Sequence, residues 1–384
     1  MSARTSRGSA HASNVPETPV PVLSDRVIRE VSASSHADGP LPGFSDSEIA
    51  ALLAPLHGAK GVVLAVSGGP DSLALLLMAW RWRALISAPP IMVASIDHAL
   101  RPESAGEIAA VAAQSARLGL DHRALRWEGP KPASGLHEAA RAERYRLLEI
   151  AAREAGATHL VTAHHEDDQA ETVLLRLVRG SGVGGLAAMR RESRLASGLI
   201  LTRPLIGLPK ARLVALVAAM GLVAVDDPSN RDPRFARGAL RIQADAQAAL
   251  GLTPARLALL ARRAARADDA IEQATDHAAR RCGLPEPAGA AVEIRLAPAL
   301  FQEPEEVQLR LLRRGIAQVA GASPGAQEPR LERLELLRDG LAGARARGET
   351  LKRTLGGMVV SLAADGHIHL TREGPRQRGR ARNV

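Results

Sequence analysis

The segment from residue 61 to about residue 180 alternates short apolar runs with longer stretches of helical periodicity. Short apolar runs bounded by turn residues predict buried strands, and apolar residues three or four positions apart predict helices. The predicted strands cover residues 62–66, 91–96, 122–127 and 159–163, and the predicted helices cover residues 71–84, 103–118, 137–155 and 167–179. This repeated βα order predicts an α/β fold, with a parallel sheet that helices cover on both faces.

The beginning of the chain lacks this alternation. Residues 1–45 are rich in Ser, Pro, Ala and Gly without apolar periodicity, which predicts a disordered tail. The first residues resemble an Arg- and Ser-rich transit segment, but no sustained amphipathic pattern follows them. We therefore favour a tail without function in a cytoplasmic protein.

The rest of the chain divides into two predicted domains and a tail. Residues 46–241 form the predicted first domain, whose last part contains a helix that begins at Pro209. Residues 242–372 are rich in Ala, Leu and Arg at helical spacing, which predicts a second, mainly helical domain. We expect this domain to end in a hairpin that turns at Asp365. Residues 373–384 form a basic tail.

Positive charge is concentrated in the second half of the chain. The formal net charge is +9, and residues 1–200 contain equal numbers of basic and acidic residues, so residues 201–384 carry the whole excess. Most of the basic residues are Arg, which suits phosphate recognition, although a merely solvated basic surface is the alternative. Three Trp, one Tyr and three Phe leave little aromatic surface for base stacking. We expect a polyanionic partner that is bound through phosphate contacts and shape.

Polar residues follow three of the predicted strands directly. Residues 67–72 follow the first strand, Asp97 and His98 follow the second, and residues 164–168 follow the last. Ligands of open parallel sheets bind beyond the carboxyl ends of the strands. These three polar clusters are therefore expected to converge on one site.

The first cluster, SGGPDS, is the most informative segment of the chain. Two glycines let the backbone turn tightly and present N–H groups to a ligand, and the start of the following helix offers further donors. The Walker spacing GxxxxGK[ST] is absent and the loop has no lysine, so pyrophosphate would be held mainly by backbone donors. An ordinary connection between a strand and a helix is the alternative. The nucleotide-binding residues predicted here are Ser67, Gly68, Gly69, Pro70, Asp71 and Ser72.

The third cluster, HHEDDQAET at residues 164–172, combines histidines with several acids. Acids in a first helical turn commonly only stabilise the helix start, which is the alternative interpretation. His164 and Asp168 can reach a metal, or a nucleotide phosphate through Mg²⁺, whereas the HExxH spacing of zinc sites is absent. We predict catalytic roles for Asp71, His164 and Asp168, and metal binding by Asp71 and Asp168.

Two groups of arginines offer positive charge near these clusters. Arg141 and Arg144 lie three positions apart on a predicted helix, where one of them can neutralise phosphates or both can simply solvate the helix. We assign this catalytic role to Arg141. The second group follows the turn DDPSN at helical spacing, suits a phosphate backbone, and consists of Arg231, Arg234, Arg237 and Arg241.

Six motifs occur together and in a characteristic order. They are SGGPDS, IDHALRPES, ARAERY, AHHEDDQAET with RGSGVGGLAAM, RPLIGLPKARL and DDPSNRDPRFARGALR. In this order and spacing the chain resembles the tRNA(Ile)-lysidine synthase family of the PP-loop ATP pyrophosphatase superfamily. The resemblance covers residues 61–241 and is highly specific, and residues 242–372 are more loosely similar to the family's substrate-binding domain. The chain departs from the family at Gly238, where the family usually has Asn after Arg.

The resemblance implies an ATP-dependent ligase that forms a C–N bond. Such enzymes adenylate the C2 carbonyl oxygen of the wobble cytidine, position 34, in the CAU anticodon of tRNA(Ile). Lysine then displaces AMP to form lysidine, which changes decoding from AUG to AUA and tRNA identity from Met to Ile. The implied cofactors are ATP and Mg²⁺, and the implied partners are tRNA(Ile) and free L-lysine, with no membrane. The sequence leaves open whether the chain is a monomer or a homodimer.

Three other functions compete with this interpretation. A tRNA thiolase of the same superfamily would use cysteines for a cluster or a persulfide, whereas this chain has only Cys282. A ligase linked to an amidotransferase, which makes NAD or GMP, would leave the basic second half without a purpose. A noncatalytic, nucleotide-dependent RNA-binding protein would need fewer of the residues Ser67, Asp71, His164 and Asp168.

Overall fold

The described residues form two compact units. The computed structural model describes residues 40–132, 134–225, 232–286, 291–321 and 329–374. The first unit contains the described residues up to Glu171 together with Arg190–Ala255, and the second contains Thr172–Met189 together with the described residues from Arg256 onward. The second unit therefore includes residues 172–189, which the sequence interpretation placed in the first domain.

The first unit has the predicted α/β order. Its strands are β1 (Val62–Ala65), β2 (Ile91–Asp97), β3 (Asp121–Arg126), β4 (His159–Val161), β5 (Glu192–Arg194) and β6 (Ile200–Thr202). Its helices are α1 (Asp46–Leu53), α2 (Pro70–Leu85), α3 (Ser104–Arg117), α4 (Leu136–Glu154), the start of α5 (Glu166–Val178), α7 (Lys210–Ala219), α8 (Ala236–Ile242) and α9 (Ala244–Ala249), with a short 3₁₀ turn at Ala54–Leu56. The four predicted strands and four predicted helices between residues 62 and 179 are confirmed, with ends that differ by at most two residues.

The sheet of the first unit places β1 at its centre. The strand order is β3-β2-β1-β4-β6-β5, and every neighbouring pair is parallel except β5 and β6. From β1 the chain continues to β2 and then to β3 at one edge, and it later returns to the other side of β1 at β4. In doubly wound sheets such a reversal opens a crevice at the carboxyl ends of the two strands, where ligands bind.

Both faces of this sheet are covered, as the alternation predicted. Trp82 of α2 and Leu213 of α7 belong to a core on one face, and Leu148 of α4 belongs to a core on the other. Leu41 and Phe44 are buried in the first of these cores, with 4% of each residue exposed. The predicted tail, residues 1–45, therefore extends too far, because two isolated apolar residues are too few to show periodicity.

The second unit combines long helices with an antiparallel sheet. Its elements are the remainder of α5, α6 (Val183–Leu186), α10 (Pro254–Cys282), β7 (Glu293–Leu296), a 3₁₀ turn (Pro298–Gln302), α11 (Glu305–Ala320), α12 (Leu331–Ala346), β8 (Leu351–Leu355), β9 (Met358–Leu362) and β10 (Ile368–Arg372). The strand order is β7-β10-β9-β8. Strands β9 and β10 confirm the predicted hairpin. They are the two central strands of this four-stranded sheet, with β7 and β8 at its edges. Among the described helices, none combines the length and apolar character that crossing a membrane requires.

Candidate active site

The SGGPDS loop connects β1 to α2 and is stabilised by one of its own side chains. Ser72 Oγ donates a hydrogen bond to the Gly69 carbonyl oxygen at 2.9 Å and accepts one from the Ser67 backbone N–H at 3.2 Å. Gly68 has a φ of +84°, a conformation that favours glycine, and Pro70 occupies the first position of α2. The hydroxyl proton of Ser72 is thus engaged within the turn, whereas Ser67 is exposed.

Gly69 leaves open space above the start of α2. Its φ is −69°, which any L-residue can adopt. A Cβ built at this position would have no neighbouring heavy atom closer than 3.7 Å. Neither backbone conformation nor internal packing requires glycine here. The absence of a side chain instead lets a ligand approach the backbone N–H groups of the first helical turn, which lack intrahelical acceptors.

His165 joins the carboxylates that follow β1 and β4. Its Nε2 lies 3.3 Å from Asp71 Oδ2 and 3.4 Å from Asp168 Oδ2, and the ring is buried. Burial opposes protonation of the ring, but the hydrogen bond with Asp71 and the negative charge of Asp168 outweigh it and raise the pKa of His165. The geometry therefore places His165 against Asp71, a contact that the sequence interpretation did not assign.

The position of His165 at the start of a helix explains its contact with Asp168. This residue immediately precedes α5, and its backbone N–H donates to Asp168 Oδ2 at 3.1 Å. An acid at the third helical position that bonds back to the residue before the helix is half of a capping box. That spacing fixes the Asp168 carboxylate near His165, whereas His164 and Asp167 have the same His-x-x-Asp spacing without this contact.

His164 lies in a different environment, among arginines. Its Nδ1 is 2.8 Å from Thr162 Oγ1. Burial lowers the pKa of His164 to about 4, and the positive charges of Arg203, Arg141 and Arg237 add to this effect. His164 is therefore neutral near pH 7. Arg141, which was predicted as a site residue, is one of the three arginines that act on it.

Arg203 was not singled out in the sequence, although the motif RPLIGLPKARL contains it. Only 7% of this residue is exposed, and one of its terminal nitrogens donates to the Arg190 carbonyl oxygen at 2.8 Å. Burial lowers the pKa of Arg203, which also interacts with Tyr145. The Arg141 guanidinium lies 5.2 Å from the centre of the same Tyr145 ring. The tyrosine thus links two arginines of this cationic region.

The remaining acids of HHEDDQAET have partners of their own. Asp167 Oδ1 accepts a hydrogen bond from the Lys210 backbone N–H at 3.2 Å, at the start of α7. Glu171 forms a two-point contact with Arg241, whose Nε and a terminal nitrogen lie 2.5 and 3.2 Å from its two carboxylate oxygens. Arg237 Nε lies 3.7 Å from Glu171 as well. These acids therefore do more than stabilise the first turn of α5.

The predicted stripe of four arginines does not form as one helical face. Helix α8 begins at Ala236, so Arg234 lies before the helix, where it pairs with Asp232 at 2.6 Å. The stripe prediction is wrong for Arg234, because the segment preceding α8 is a turn. Arg231 and the DDPSN turn lie outside the described residues. Only Arg237 and Arg241 share the helix.

The cluster after β2 stabilises its own loop. Asp97 Oδ1 accepts hydrogen bonds from Ser104 Oγ at 2.6 Å and from the Ala99 backbone N–H at 2.7 Å. His98 packs edge-on against Trp127, with ring centres 6.2 Å apart. Burial lowers the pKa of His98 to about 4, and the positive charge of Arg144 contributes. The Asp97 carboxylate is thus used in holding the turn.

The second glycine-rich segment, RGSGVGGL at residues 179–186, belongs to the second unit. A Cβ at Gly182 would lie 3.1 Å from Leu331 Cδ2, and one at Gly184 would lie 2.8 Å from Asp268 Oδ1. A Cβ at Gly185 would overlap the Ser181 side chain. Close packing within the second unit accounts for these glycines.

Asp71 is the residue that best fits a magnesium ion. Its Oδ1 is buried and has no hydrogen-bond partner among the described residues, a costly arrangement for a carboxylate oxygen. Within the described parts of the chain, no group of three or more His, Cys, Asp or Glu side chains is arranged to hold a metal. Mg²⁺ is commonly held by one or two carboxylates together with substrate phosphates. The residues therefore fit a Mg²⁺–ATP complex better than a metal cage built from protein alone.

Comparisons with known proteins agree with this geometry. The PP-loop domain family matches residues 44–246. The tRNA(Ile)-lysidine synthase of Bradyrhizobium sp. strain BTAi1 is 46% identical over 357 residues, which cover 90% of this chain and 99% of that protein. The enzyme of the same name from Methylobacterium nodulans is 51% identical over 324 residues, covering 84% of this chain and 93% of that protein. The chain belongs to the tRNA(Ile)-lysidine synthase family.

Membership of the tRNA(Ile)-lysidine synthase family decides between the competing functions drawn from the sequence. The thiolase and the NAD- or GMP-forming ligase share the superfamily but not the family. The departure from the family pattern at Gly238 has a local explanation, because a Cβ at this position would overlap the Asp232 backbone. The turn before α8 packs so closely on the helix that an Asn side chain would require Asp232 to move.

Proposed function

We propose that the crevice between β1 and β4 carries out the ATP-dependent step of lysidine formation on tRNA(Ile). The chain is an ATP-dependent ligase of the tRNA(Ile)-lysidine synthase family. The observation that supports this location most strongly is that His165 contacts both Asp71, after β1, and Asp168, after β4. These residues lie beside a glycine loop whose backbone is open to a phosphate.

The reaction has two steps in this proposal. The C2 carbonyl oxygen of the wobble cytidine attacks the α-phosphorus of ATP, the bond to the β-phosphate oxygen breaks, and pyrophosphate leaves. The lysine amine then attacks C2, the C2–O bond breaks, AMP leaves with the oxygen, and the amine loses a proton. Because bond breaking occurs at the α-phosphate, the site needs no Walker lysine beside the γ-phosphate.

The SGGPDS loop holds the departing pyrophosphate in this proposal. The open position at Gly69 admits phosphate oxygens to the backbone N–H groups at the start of α2. Ser67, which is exposed, offers a further donor, while Ser72 maintains the turn. Fixed donors aimed at developing negative charge lower the barrier because they need no rearrangement during the reaction.

Asp71 and Asp168 are the proposed magnesium ligands. Asp71 Oδ1 supports this assignment, because it is buried and no described residue bonds to it. Bound Mg²⁺ would offset the negative charge that builds on the phosphates. His165 holds both carboxylates in place from between them. The cationic region around His164, which includes Arg141 and Arg203, adds positive charge for the same anionic substrate.

L-Lysine, tRNA(Ile) with a CAU anticodon and a cytoplasmic location are parts of the same proposal. Flipping a base out of its stack costs a few kcal/mol, and less in a single-stranded loop such as an anticodon. The excess positive charge of residues 201–384 suits binding of the tRNA backbone. A homodimer is compatible with the proposal, which does not depend on it.

The direct test combines the purified protein with ATP, Mg²⁺, L-lysine and a CAU-anticodon tRNA(Ile) transcript. We expect pyrophosphate release and incorporation of labelled lysine in equal amounts. A transcript with a GAU anticodon is the matched control and should accept no lysine. Absence of lysine incorporation, or equal incorporation into the control transcript, would refute the proposed function.

A further inference from the structure

Helix α10 of the second unit is divided into two halves of opposite charge. Residues 254–267 contain four arginines and no acid, whereas Asp268, Asp269, Glu272 and Asp276 follow in the second half. One stripe of the first half is buried against the unit and consists of Leu257, Ala258, Ala261 and Ala264. The remaining sides of this half are exposed.

The second half of α10 is occupied by ion pairs with α11. Arg310 is buried and lies 2.8 Å from Asp268 and 2.5 Å from Glu272. Arg314 pairs with Asp276 at 2.6 Å and also with Glu272. Asp268, Glu272 and Asp276 therefore already have cationic partners on α11.

The first half of α10 carries three arginines without such partners. Arg262, Arg263 and Arg266 are exposed, and none of them has a hydrogen bond or ion pair with another residue in the described parts of the chain. Positions 262 and 266 are four apart and positions 263 and 266 are three apart, so the side chains are neighbours on one face. This face lies opposite the stripe that contains Ala261 and Ala264.

Other arginines of the same unit behave differently. Arg281 pairs with Glu303 at 2.6 Å, Arg295 with Asp365 at 2.8 Å, and Arg347 with Glu349 at 2.8 Å. These pairs are also partly exposed, so exposure alone does not distinguish the two groups. The difference is that the three neighbouring arginines of α10 form no ion pair among the described residues, so their like charges repel each other.

We propose that Arg262, Arg263 and Arg266 form a contact surface for the phosphodiester backbone of the tRNA substrate. The proposal rests on the proposed function, because it assigns the bound polyanion as tRNA. Guanidinium groups match phosphate geometry and can each make two hydrogen bonds to it. Contacts to phosphates carry no sequence information, so this face positions the tRNA rather than selecting its anticodon.

The test compares two triple variants that lose the same charge. The first is R262Q/R263Q/R266Q, and the control is R281Q/R295Q/R347Q, which removes three paired arginines from the same unit. The dissociation constant for the CAU-anticodon tRNA(Ile) is measured for each between about 50 and about 200 mM salt. Pyrophosphate release is measured alongside at saturating tRNA.

We expect the α10 variant to bind about 10-fold or more weakly at the lowest salt concentration. Its plot of log affinity against log salt should be flatter by about two units, since each lost phosphate contact removes roughly 0.7–0.9. The loss should be similar for tRNAs with other anticodons, and the rate at saturating tRNA should be unchanged. The Lys variant, R262K/R263K/R266K, should keep most of the salt dependence, because it keeps the charge.

Equal salt dependence in the α10 variant and the control would overturn the proposal. So would a loss confined to the CAU transcript, because it would indicate base recognition rather than phosphate contact. Failure of the proposed function is recognisable separately: wild-type protein would then bind tRNA in a manner that depends on these arginines but would release no pyrophosphate.

Discussion

The two glycine-rich segments of this chain, SGGPDS after β1 and RGSGVGGL after α5, differ in what their glycines make possible. In the first segment, Gly69 has an ordinary φ and no close neighbour for a Cβ, so the missing side chain leaves space for a ligand. In the second, Gly184 and Gly185 leave no such space, because Asp268 and Ser181 fill it.

This difference shows that glycine content alone does not identify a phosphate loop. The first segment leads into a 16-residue helix and contains Asp71, one of whose buried oxygens has no hydrogen-bond partner among the described residues. The second ends in a helix of only four residues, Val183–Leu186, and its glycines are used for packing. A ligand-binding role therefore requires both open space and polar groups that the protein itself leaves unsatisfied.

The largest expected effect concerns the polar side of the first segment. Asp71→Asn keeps the shape of the side chain but removes its charge, so pyrophosphate release should fall by about 10²–10³-fold. Affinity for tRNA should change less than two-fold, because the carboxylate is assigned to the nucleotide. Single-turnover pyrophosphate assays and tRNA-binding titrations measure the two quantities.

Asp121→Asn is the matched control for this variant. Asp121 is an exposed carboxylate at the start of β3, and its loss should leave both quantities unchanged. If Asp71→Asn weakened tRNA binding as much as pyrophosphate release, the assignment of Asp71 to the nucleotide would be incorrect.

A stability effect is expected for the second segment. Gly185→Ala places a methyl group against the Ser181 side chain, and such overpacking typically costs about 1–3 kcal/mol. The thermal midpoint should fall by several degrees, while pyrophosphate release per folded molecule should stay within two-fold of wild type. Calorimetry of the purified variant provides the measurement.

Gly340→Ala supplies the comparison for this effect. It lies within α12, where a Cβ would have an ordinary contact with Leu351 at 3.5 Å, and alanine favours helix. Its thermal midpoint should equal or exceed that of wild type. A Gly185→Ala protein as stable as Gly340→Ala would show that packing does not explain the second segment.

Much of the fold was predictable because the strands of the first unit are continuous apolar runs. Strand β8 was not, since it carries Lys352 and Arg353 on exposed positions and lacks an apolar run. Leu41 and Phe44 were missed because isolated apolar residues show no period. Tertiary contacts, rather than local pattern, place these residues.

The candidate site was predictable to the level of motifs but not of partners. The strand-end rule indicated that Asp71 and Asp168 would lie near each other, and both do contact His165. The choice between His164 and His165 could not be made from their adjacent positions, because it depends on which ring faces Asp71. Arg203 was missed because its burial comes from residues distant in sequence.

The smallest expected effect concerns Cys282, which lies in the core of the second unit. Burial raises the pKa of its thiol to about 11, so the reactive thiolate is scarce below that pH in the folded protein. A disulfide-exchange reagent at about pH 8 should label the native wild type slowly and the denatured protein at once. Labelling should be faster in Gly185→Ala, and equally rapid labelling of native and denatured wild type would contradict the buried position.

The most direct test of the central claim is single-turnover pyrophosphate release by Gly69→Ala, with ATP and CAU-anticodon tRNA(Ile) present and lysine omitted. The wild type should release about one pyrophosphate per bound tRNA. The variant, with a methyl group in the space assigned to phosphate, should release it about 10²-fold more slowly at an unchanged thermal midpoint. Release at the wild-type rate would contradict the claim that this loop holds the pyrophosphate of ATP.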